Sequence, residues 1–491
     1  MRPDDLNSLR ARKLELIQLL ERVQLPLYPR AVSDPVPLID SQLPAWAGYA
    51  MQEGAHERFC AFAIGVSGPL NIELLRECLT ELVRRHEPLR TRILVENGEP
   101  RQFIDQPSGC SFDVVDVVTT NSQGDKNQDI QRYICEFIGQ KIEFSVGPLF
   151  AARLLRFSRY EYVLIMSLDH LITDGVTNGI LNREIWALYK NRAHGQPFSL
   201  PEVALQFADY AVSVGKMRLG WLQKHAPYWK ARLADVPRLQ FPLDCHARET
   251  SAAAANLLNI QFGEPLNAEL LKFARQERVF AALVMLAVHV SVIARWCNEK
   301  ELVLMFVDHG RYRPELVNMV GYLASHLYLR IDVSKAKTFL DLLALVNREY
   351  QAACYHRDFN WAPAQVAKFE TCLYFNWVVT DGLDWPSTES NESGNLKLRV
   401  LPIDWQWLRQ APQPDDDLRK LVDCDSEMHR IKSLSIFFSQ AADELHATVI
   451  CASDRPAPTA LEQFSRNLRT FTEIFIRRPM TSIDSVSFDM G

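Results

Sequence analysis

An α/β architecture of two lobes is what this chain predicts, and three observations predict it. Its 491 residues are too many for one ordinary core. Hydrophobic residues at 47% against 23% charged mark a globular chain. Segments of helical and strand-like period alternate in each half, with no short repeat and no low-complexity tract. The boundaries this suggests are 1–36 for an N-terminal helix and linker, 37–235 for the first lobe and 236–491 for the second.

Residues 6–22 carry Leu6, Leu9, Leu14, Ile17 and Leu20 at a helical period, and a Pro-rich linker from Leu25 to Pro37 follows. This helix reads equally as a docking appendage or a capping helix. A strand from Phe59 to Val66 leads through Gly68-Pro69 to a helix that Asn71 caps and Pro88 stops. A polar loop, Asn121 to Asn127, precedes a helix near Ile130 to Gln140. The strands Leu149 to Phe157 and Tyr162 to Met166 then pair as a hairpin about Ser158-Arg159-Tyr160. Next come an amphipathic helix, Asn178 to Tyr189, helical stretches at Phe207 to Val212 and Tyr228-Trp229, and a linker from Pro237 to Pro242. In the second half Asn267 caps a helix, Val279 to Cys297 is a buried helix, and Leu302 to Val307 is a strand ending in the turn Asp308-His309-Gly310-Arg311. Val320 to Arg330 leads into a further strand, and a helix spans Phe339 to His356. Strands at Leu373 to Val379, Ser433 to Ser439 and Leu445 to Cys451, polar loops at Asp381 to Asn395 and Pro412 to Asp417, and a helix from Thr459 to Arg477 complete the order.

Several function classes are excluded or unsupported. A net charge of −6 and a pI near 6.1 offer no field for nucleic acid. The longest apolar run, Val279 to Ala294, has the length of a core helix and holds His289 and Ser291, so no membrane span is expected. The amino terminus lacks the apolar segment of an export signal, and ten cysteines without a Cys-x-x-Cys pair read as reduced thiols, so a cytoplasmic protein without a metal site is expected. No Gly-x-Ser-x-Gly elbow, phosphate loop or dinucleotide fingerprint is present.

The chemistry concentrates at Ser167-Leu168-Asp169-His170-Leu171-Ile172-Thr173-Asp174-Gly175, which follows a buried strand. His170 is the side chain here whose ordinary pKa lies near neutrality, so it can take or steer a proton. Asp174 reads as a buttress that fixes the turn presenting the imidazole, and Gly175 as a position of conformational freedom. By itself the spacing also fits a strand-end histidine satisfied within the core. His289 reads as a satisfied core histidine, and His309 and His326 as strand-end residues with structural roles.

Five stretches occur together in order: Arg85-His86-Glu87-Pro88-Leu89-Arg90-Thr91, His170 through Asp174-Gly175, Phe207 to Ala211, Val320-Gly321 through Leu329-Arg330, and His356-Arg357-Asp358. As a set they resemble the condensation domain of nonribosomal peptide synthetases, within the wider superfamily of chloramphenicol acetyltransferase-like acyltransferases. They are similar, respectively, to the family's His-Glu-x-Leu-Arg-Thr element, its catalytic His-His-x-x-x-Asp-Gly, its Tyr-x-Asp-Tyr-Ala-type segment, its Val-Gly-x-Phe-Val-Asn-Thr stretch and its His-Gln-Asp element. The resemblance runs from about Pro37 to the carboxyl end.

That resemblance implies an α/β sandwich fold with two chloramphenicol acetyltransferase-like lobes in a V-shaped pseudodimer. It puts His170 in a tunnel at their junction, with Arg90 paired to Asp174 and Tyr322, Ser325 and His326 lining the tunnel. The implied partners are an acyl or peptidyl carrier protein, whose phosphopantetheine arm enters the tunnel, and a small amine or alcohol acceptor; no cofactor of the chain's own is implied. Three departures stand out. Asp169 replaces the first histidine of the catalytic element, Ser325-His326 replace Asn-Thr, and Asn360-Trp361-Ala362 replace Pro-Phe-Glu. Neighbours on a strand point to opposite faces, so Asp169 reads as a structural substitution. Asp169 and Asp174 also fit the Asp-x-x-x-x-Asp of heterocyclisation domains, which do not keep the histidine. The expected reaction is acyl transfer from a carrier-bound thioester, giving an amide or ester. Heterocyclisation, transfer from free acyl-coenzyme A and a non-catalytic carrier-recruiting role are the alternatives. With no adenylation segment and no carrier serine motif, a stand-alone enzyme or an excised piece of an assembly line is expected.

Overall fold

The computed structural model describes residues 27–31, 34–43, 45–47, 60–117, 123–138, 140, 143–196, 200–237, 239, 241, 256–357, 372–379, 391–393, 396–401, 432–440, 444–451 and 458–488. The amphipathic segment 6–22, the acidic stretch 412–417 and the triplet 360–362 lie outside these residues, as does most of the polar loop 381–395.

In the first half the elements are β1 (Val36–Pro37), β2 (Cys60–Ser67), α1 (Ile72–Arg85), β3 (Thr91–Glu96), β4 (Glu99–Ile104), β5 (Phe112–Asp116), α2 (Gln123–Ile138), β6 (Phe150–Ser158), β7 (Glu161–Leu168), α3 (Gly175–Ala193) and α4 (Phe207–Arg232). The second half contributes β8 (Asn256–Gln261), α5 (Glu264–Glu277), α6 (Ala281–Cys297), β9 (Glu301–Asp308), β10 (Ser325–Asp332), α7 (Phe339–Tyr355), β11 (Cys372–Val379), β12 (Asn391–Ser393), β13 (Leu396–Leu401), β14 (Lys432–Gln440), β15 (Leu445–Cys451) and α8 (Pro458–Arg477).

The expected hairpin forms: β6 pairs antiparallel with β7 across the Ser158 to Glu161 turn. β7 reads as a continuous apolar run because it is buried on both faces. Tyr162, Leu164, Met166 and Leu168 pack against α1 and α3, while Val163 and Ile165 meet Ile130, Ile134 and Phe137 of α2 on the other side. Asn71 caps α1 as its position predicts, its side chain accepting from the Leu74 amide.

Among the described residues two six-stranded sheets organise the chain, in the orders β12-β13-β2-β7-β6-β5 and β10-β9-β11-β14-β15-β8, beside a small sheet β1-β4-β3. The simple division at residue 235 therefore needs amendment. β12 and β13, from the second half, extend the first sheet, β13 running antiparallel to β2 from Lys397 opposite Ser67 to Leu401 opposite Ala63. Without them β2, which carries the buried Ala63, Ile64 and Val66, would present an open edge; the hairpin closes it. α4 ties the two halves together in turn. Its first turns, Phe207, Ala208, Ala211 and Val212, pack on Leu316, Met319, Tyr322 and Leu323, and Trp229 near its end enters the second core. The two short helical stretches expected there are thus one helix of 26 residues.

Asn267 does not cap a helix. α5 starts at Glu264, because Pro265 suits the first turn and Gly263, at φ 77°, reverses the chain before it. Asn267 is buried and accepts a hydrogen bond from Gln440 Nε2 instead. α6 is buried along nearly its whole length, and among the described residues no single helix is long and apolar enough to cross a membrane.

His289, midway along α6, is a core residue but not a satisfied one. It is 1% exposed between Phe375 and Phe464, and neither ring nitrogen has a hydrogen-bond partner among the described residues. Burial pushes its pKa down to about 3. An unfolded histidine titrates near 6.5, so the unfolded state binds the extra proton, and stability falls as pH drops from about 6.5 towards 3. His289→Leu is expected to raise stability by about 1–2 kcal/mol at neutral pH and to flatten that acid slope. Urea unfolding midpoints at pH 7 and pH 5 check both; a destabilised variant would show that the imidazole has a partner.

Candidate active site

Local chemistry shapes the turn after β7. Asp169, fully buried, accepts at Oδ1 from the Leu171 amide (2.7 Å), capping a short 3-10 turn, His170–Ile172. From the first-lobe segment at residues 39–42, the buried Gln42 donates from Nε2 to the Leu171 carbonyl (2.5 Å). His170 is left half-buried at the start of this turn, its ring 4.7 Å from that of Tyr322 in the second half of the chain. Gly175 opens α3 with ordinary helical backbone, so its conformational freedom is not what the position uses; a Cβ there would meet open space.

Asp174 is the junction of the two halves. As N-cap of α3 it accepts at Oδ1 from the amide (3.0 Å) and hydroxyl (3.1 Å) of Thr177. Its Oδ2 accepts from Arg311 Nη1 (2.6 Å) and from the amides of Leu323 (3.0 Å) and Ala324 (3.1 Å). Arg311 also donates to the carbonyls of His309, Met319 and Gly321 and to the Thr177 hydroxyl. Burial works to raise the Asp174 pKa, but the Arg311 guanidinium and the amide donors outweigh it and hold the carboxyl below its ordinary value. The expected partner, Arg90, is elsewhere. It donates to the Asp105 carbonyl beside Glu87, because the 3-10 turn Glu87–Arg90 aims it at β4 and its flank.

The rest of the Arg85 to Thr91 stretch is scaffolding for α3 and α4. His86 Nε2 donates to Glu184 of α3 (2.7 Å), which Arg85 also holds (3.0 Å). Burial would raise the Glu184 pKa, yet the His86 hydrogen bond and Arg85 lower it. Arg30 bridges Glu87 to Asp209 at the start of α4 (2.9 Å to Asp209), so the Phe207 to Ala211 segment is anchored to the same group.

Of the expected tunnel-lining residues, Tyr322 reaches His170. Ser325, first residue of β10, lines a pocket between the halves, and His326 meets Tyr374 edge-on at 5.7 Å between ring centroids. His309 is structural, donating from Nε2 to the Trp377 carbonyl (2.8 Å). Beside Tyr322, Gly321 sits at φ 149°, where a Cβ would lie 2.4 Å from Phe207. Gly321→Ala is therefore expected to cost ~2–5 kcal/mol through strain and overpacking. Gly175→Ala, facing open space, should change stability by less than about 0.5 kcal/mol. Urea titrations of both variants separate the two, and equal midpoints would contradict the assignment.

Arg311, Thr177, Gln42 and Glu184 are the supporting residues that sequence reasoning passed over. The one local signal was an arginine next to Gly310 in a turn at the end of a buried strand.

A family model described as the condensation domain matches residues 32–362. Among curated proteins, chondramide synthase cmdD of Chondromyces crocatus is 26% identical over 464 residues, 94% of this chain and 11% of its own length. Malpinin synthetase of Mortierella alpina is 26% identical over 409 residues, 81% of this chain and 5% of its own length. The chain thus spans about a tenth or less of the length of these relatives. Among solved structures, the X-domain in complex with OxyB from teicoplanin biosynthesis superposes with a TM-score of 0.72 at 19% identity, covering 95% of this chain and 98% of that one. The first condensation domain of the calcium-dependent antibiotic synthetase, in complex with a substrate analogue, gives 0.70 at 15%, covering 94% and 100%. At these identities both likenesses show a shared fold.

Proposed function

Since this chain belongs to the condensation domain family, we propose that it transfers an acyl group from a carrier-protein thioester to an amine or hydroxyl, with His170 as the proton-handling residue. The observation that carries this reading is the placement of His170: half-buried against Tyr322, on a turn braced by Asp169 and Gln42 and locked to the opposite half through Asp174.

The acceptor's N–H or O–H approaches the imidazole while its lone pair attacks the thioester carbonyl carbon. His170 takes or steers the proton, the carbon–sulfur bond breaks, and the proton leaves with the phosphopantetheine thiol. An amide or ester remains. A well-placed general base supplies roughly 10²–10⁴ in rate, and an alcohol needs it more than an amine. The amides at the start of α3, beside the open space at Gly175, are suited to stabilise the oxyanion. Asp169 spends its Oδ1 on the turn it caps, which supports a structural role for it over a heterocyclisation site.

A second reading has one observation in its favour. The X-domain, a structural neighbour, was solved in complex with another protein, OxyB, which is compatible with a recruiting role on this fold. Intact-protein mass spectrometry of an acyl-loaded carrier mixed with this chain and a panel of amines and alcohols decides between them. Loss of the acyl mass with a new amide or ester supports transfer. A carrier that binds and keeps its acyl group against every acceptor supports recruitment.

A further inference from the structure

A pocket opens where three segments meet: residues 39–41 of the first lobe, the middle of α4, and the strand ends at 308–312 and 323–325 of the second lobe. Its wall adjoins the active-site scaffold directly. Leu323, which lines it, gives its amide to Asp174, and Arg311 lies between the lining residues Gly310 and Tyr312.

Among the described residues, Arg218 and Arg357 face this space. Arg218 is occupied, donating from Nε to Asp40 (2.7 Å). Arg357 is not. Its Nε donates to the Cys354 carbonyl (3.0 Å), and its guanidinium lies over the Tyr312 ring, 4.4 Å from the centroid. Its side chain is 17% exposed, and Nη1 and Nη2 make no hydrogen bond among the described residues. Among the described residues the nearest carboxylate, Asp308, stands 3.6 Å from Nε, beyond hydrogen-bonding distance, with its Oδ2 shut away from solvent. This acid therefore fixes the cation without covering its outer edge.

We propose that Arg357 binds an oxyanion, a carboxylate or a phosphate, in this pocket, so that the substrate accepted beside His170 carries a negative charge there. The planar fork of a guanidinium suits either group bidentately, and low exposure strengthens such a bond. Two sources offer this chemistry: a carboxylate on the acyl or acceptor substrate, and the phosphate of the carrier's phosphopantetheine arm. The assignment of the pocket to substrate rests on the acyl-transfer reading above, whereas anion binding itself does not.

Calorimetric titration of the full chain carrying His170→Ala, which removes turnover from the readout, tests it with two matched pairs of probes at low salt. One pair is 4′-phosphopantetheine against pantetheine; the other is N-acetylglycine against N-acetylglycinamide. At least one anionic probe is expected to bind about tenfold or more tighter than its neutral twin. Adding Arg357→Gln should abolish that preference, with Arg357→Lys retaining part of it. Preference within the phosphate pair assigns the carrier arm, and within the carboxylate pair the substrate. Equal binding of both twins in both pairs overturns the proposal without needing any Arg357 variant to fold, and so does a preference that survives Arg357→Gln in a chain with an unchanged melting curve. Failed acyl transfer with intact anion preference would count against the acyl-transfer reading alone.

Discussion

Arg311→Ala is expected to cost about 3–5 kcal/mol of stability, the loss seen when one partner of a buried ion pair is removed. Asp174, 1% exposed, would keep the Leu323, Ala324 and Thr177 donors and lose the cation that offsets its burial. The His309, Met319 and Gly321 carbonyls would lose a donor at the same time. Since these groups join the end of β7 to the loop before β10, turnover should fall with stability. Arg311→Lys should rescue only in part, because a single ammonium cannot reach Asp174, Thr177 and three carbonyls together. Combining Asp174→Asn with Arg311→Ala should cost well below the sum of the single changes, with a coupling of at least about 1 kcal/mol. Chemical unfolding of the four proteins measures this, and additive losses would place the stability elsewhere.

The same pair predicts an acid limit. Asp174 has a folded pKa below the ordinary carboxylate value, so its contribution is complete above about pH 3.9 and is lost as pH falls through the depressed folded value. The acid step below about pH 4 should be smaller in Asp174→Asn than in the parent. His289 acts between about pH 6.5 and 3 and overlaps the top of this step, so the His289→Leu background is the one that isolates the carboxylate.

Much of this was legible from local chemistry. The β6–β7 hairpin, the Asn71 cap and the long buried α6 follow from period, turn residues and apolar runs, all of which act within a few residues. The continuity of α4 was hidden because its largely exposed middle, residues 213–220 with Gly215 and Gly220, and Pro227 interrupt the helical pattern while tertiary packing at both ends holds the helix. Pairings across the chain left no local trace. Asp174 and Arg311 are 137 residues apart, and the β12–β13 hairpin joins a sheet whose other strands come from the first half. The resemblance pointed to Arg90 for the Asp174 partner, an assignment made by motif, whereas the 3-10 turn that carries Arg90 directs it to Asp105. What survives from sequence to structure at the site is a half-buried histidine and a hydrogen-bonded carboxylate at Asp174, whereas the conformational freedom expected of Gly175 goes unused in ordinary helical backbone.

His170→Ala should have the largest effect on activity. Its ring is half-buried against Tyr322 and makes none of the Asp174 and Arg311 hydrogen bonds, so the variant is expected to keep its melting temperature within a few degrees. The rate should fall by roughly 10²–10⁴, more steeply for an alcohol acceptor than for an amine, whose free base carries part of the reactivity itself.

The most direct test is a single-turnover comparison of the parent chain and His170→Ala, each in excess over an acyl-loaded carrier, with carrier binding measured in parallel. Unchanged carrier binding and a first-order transfer rate reduced at least about a hundredfold is the predicted result. Equal rates in the two proteins would contradict a proton-handling role for His170 and the mechanism built on it.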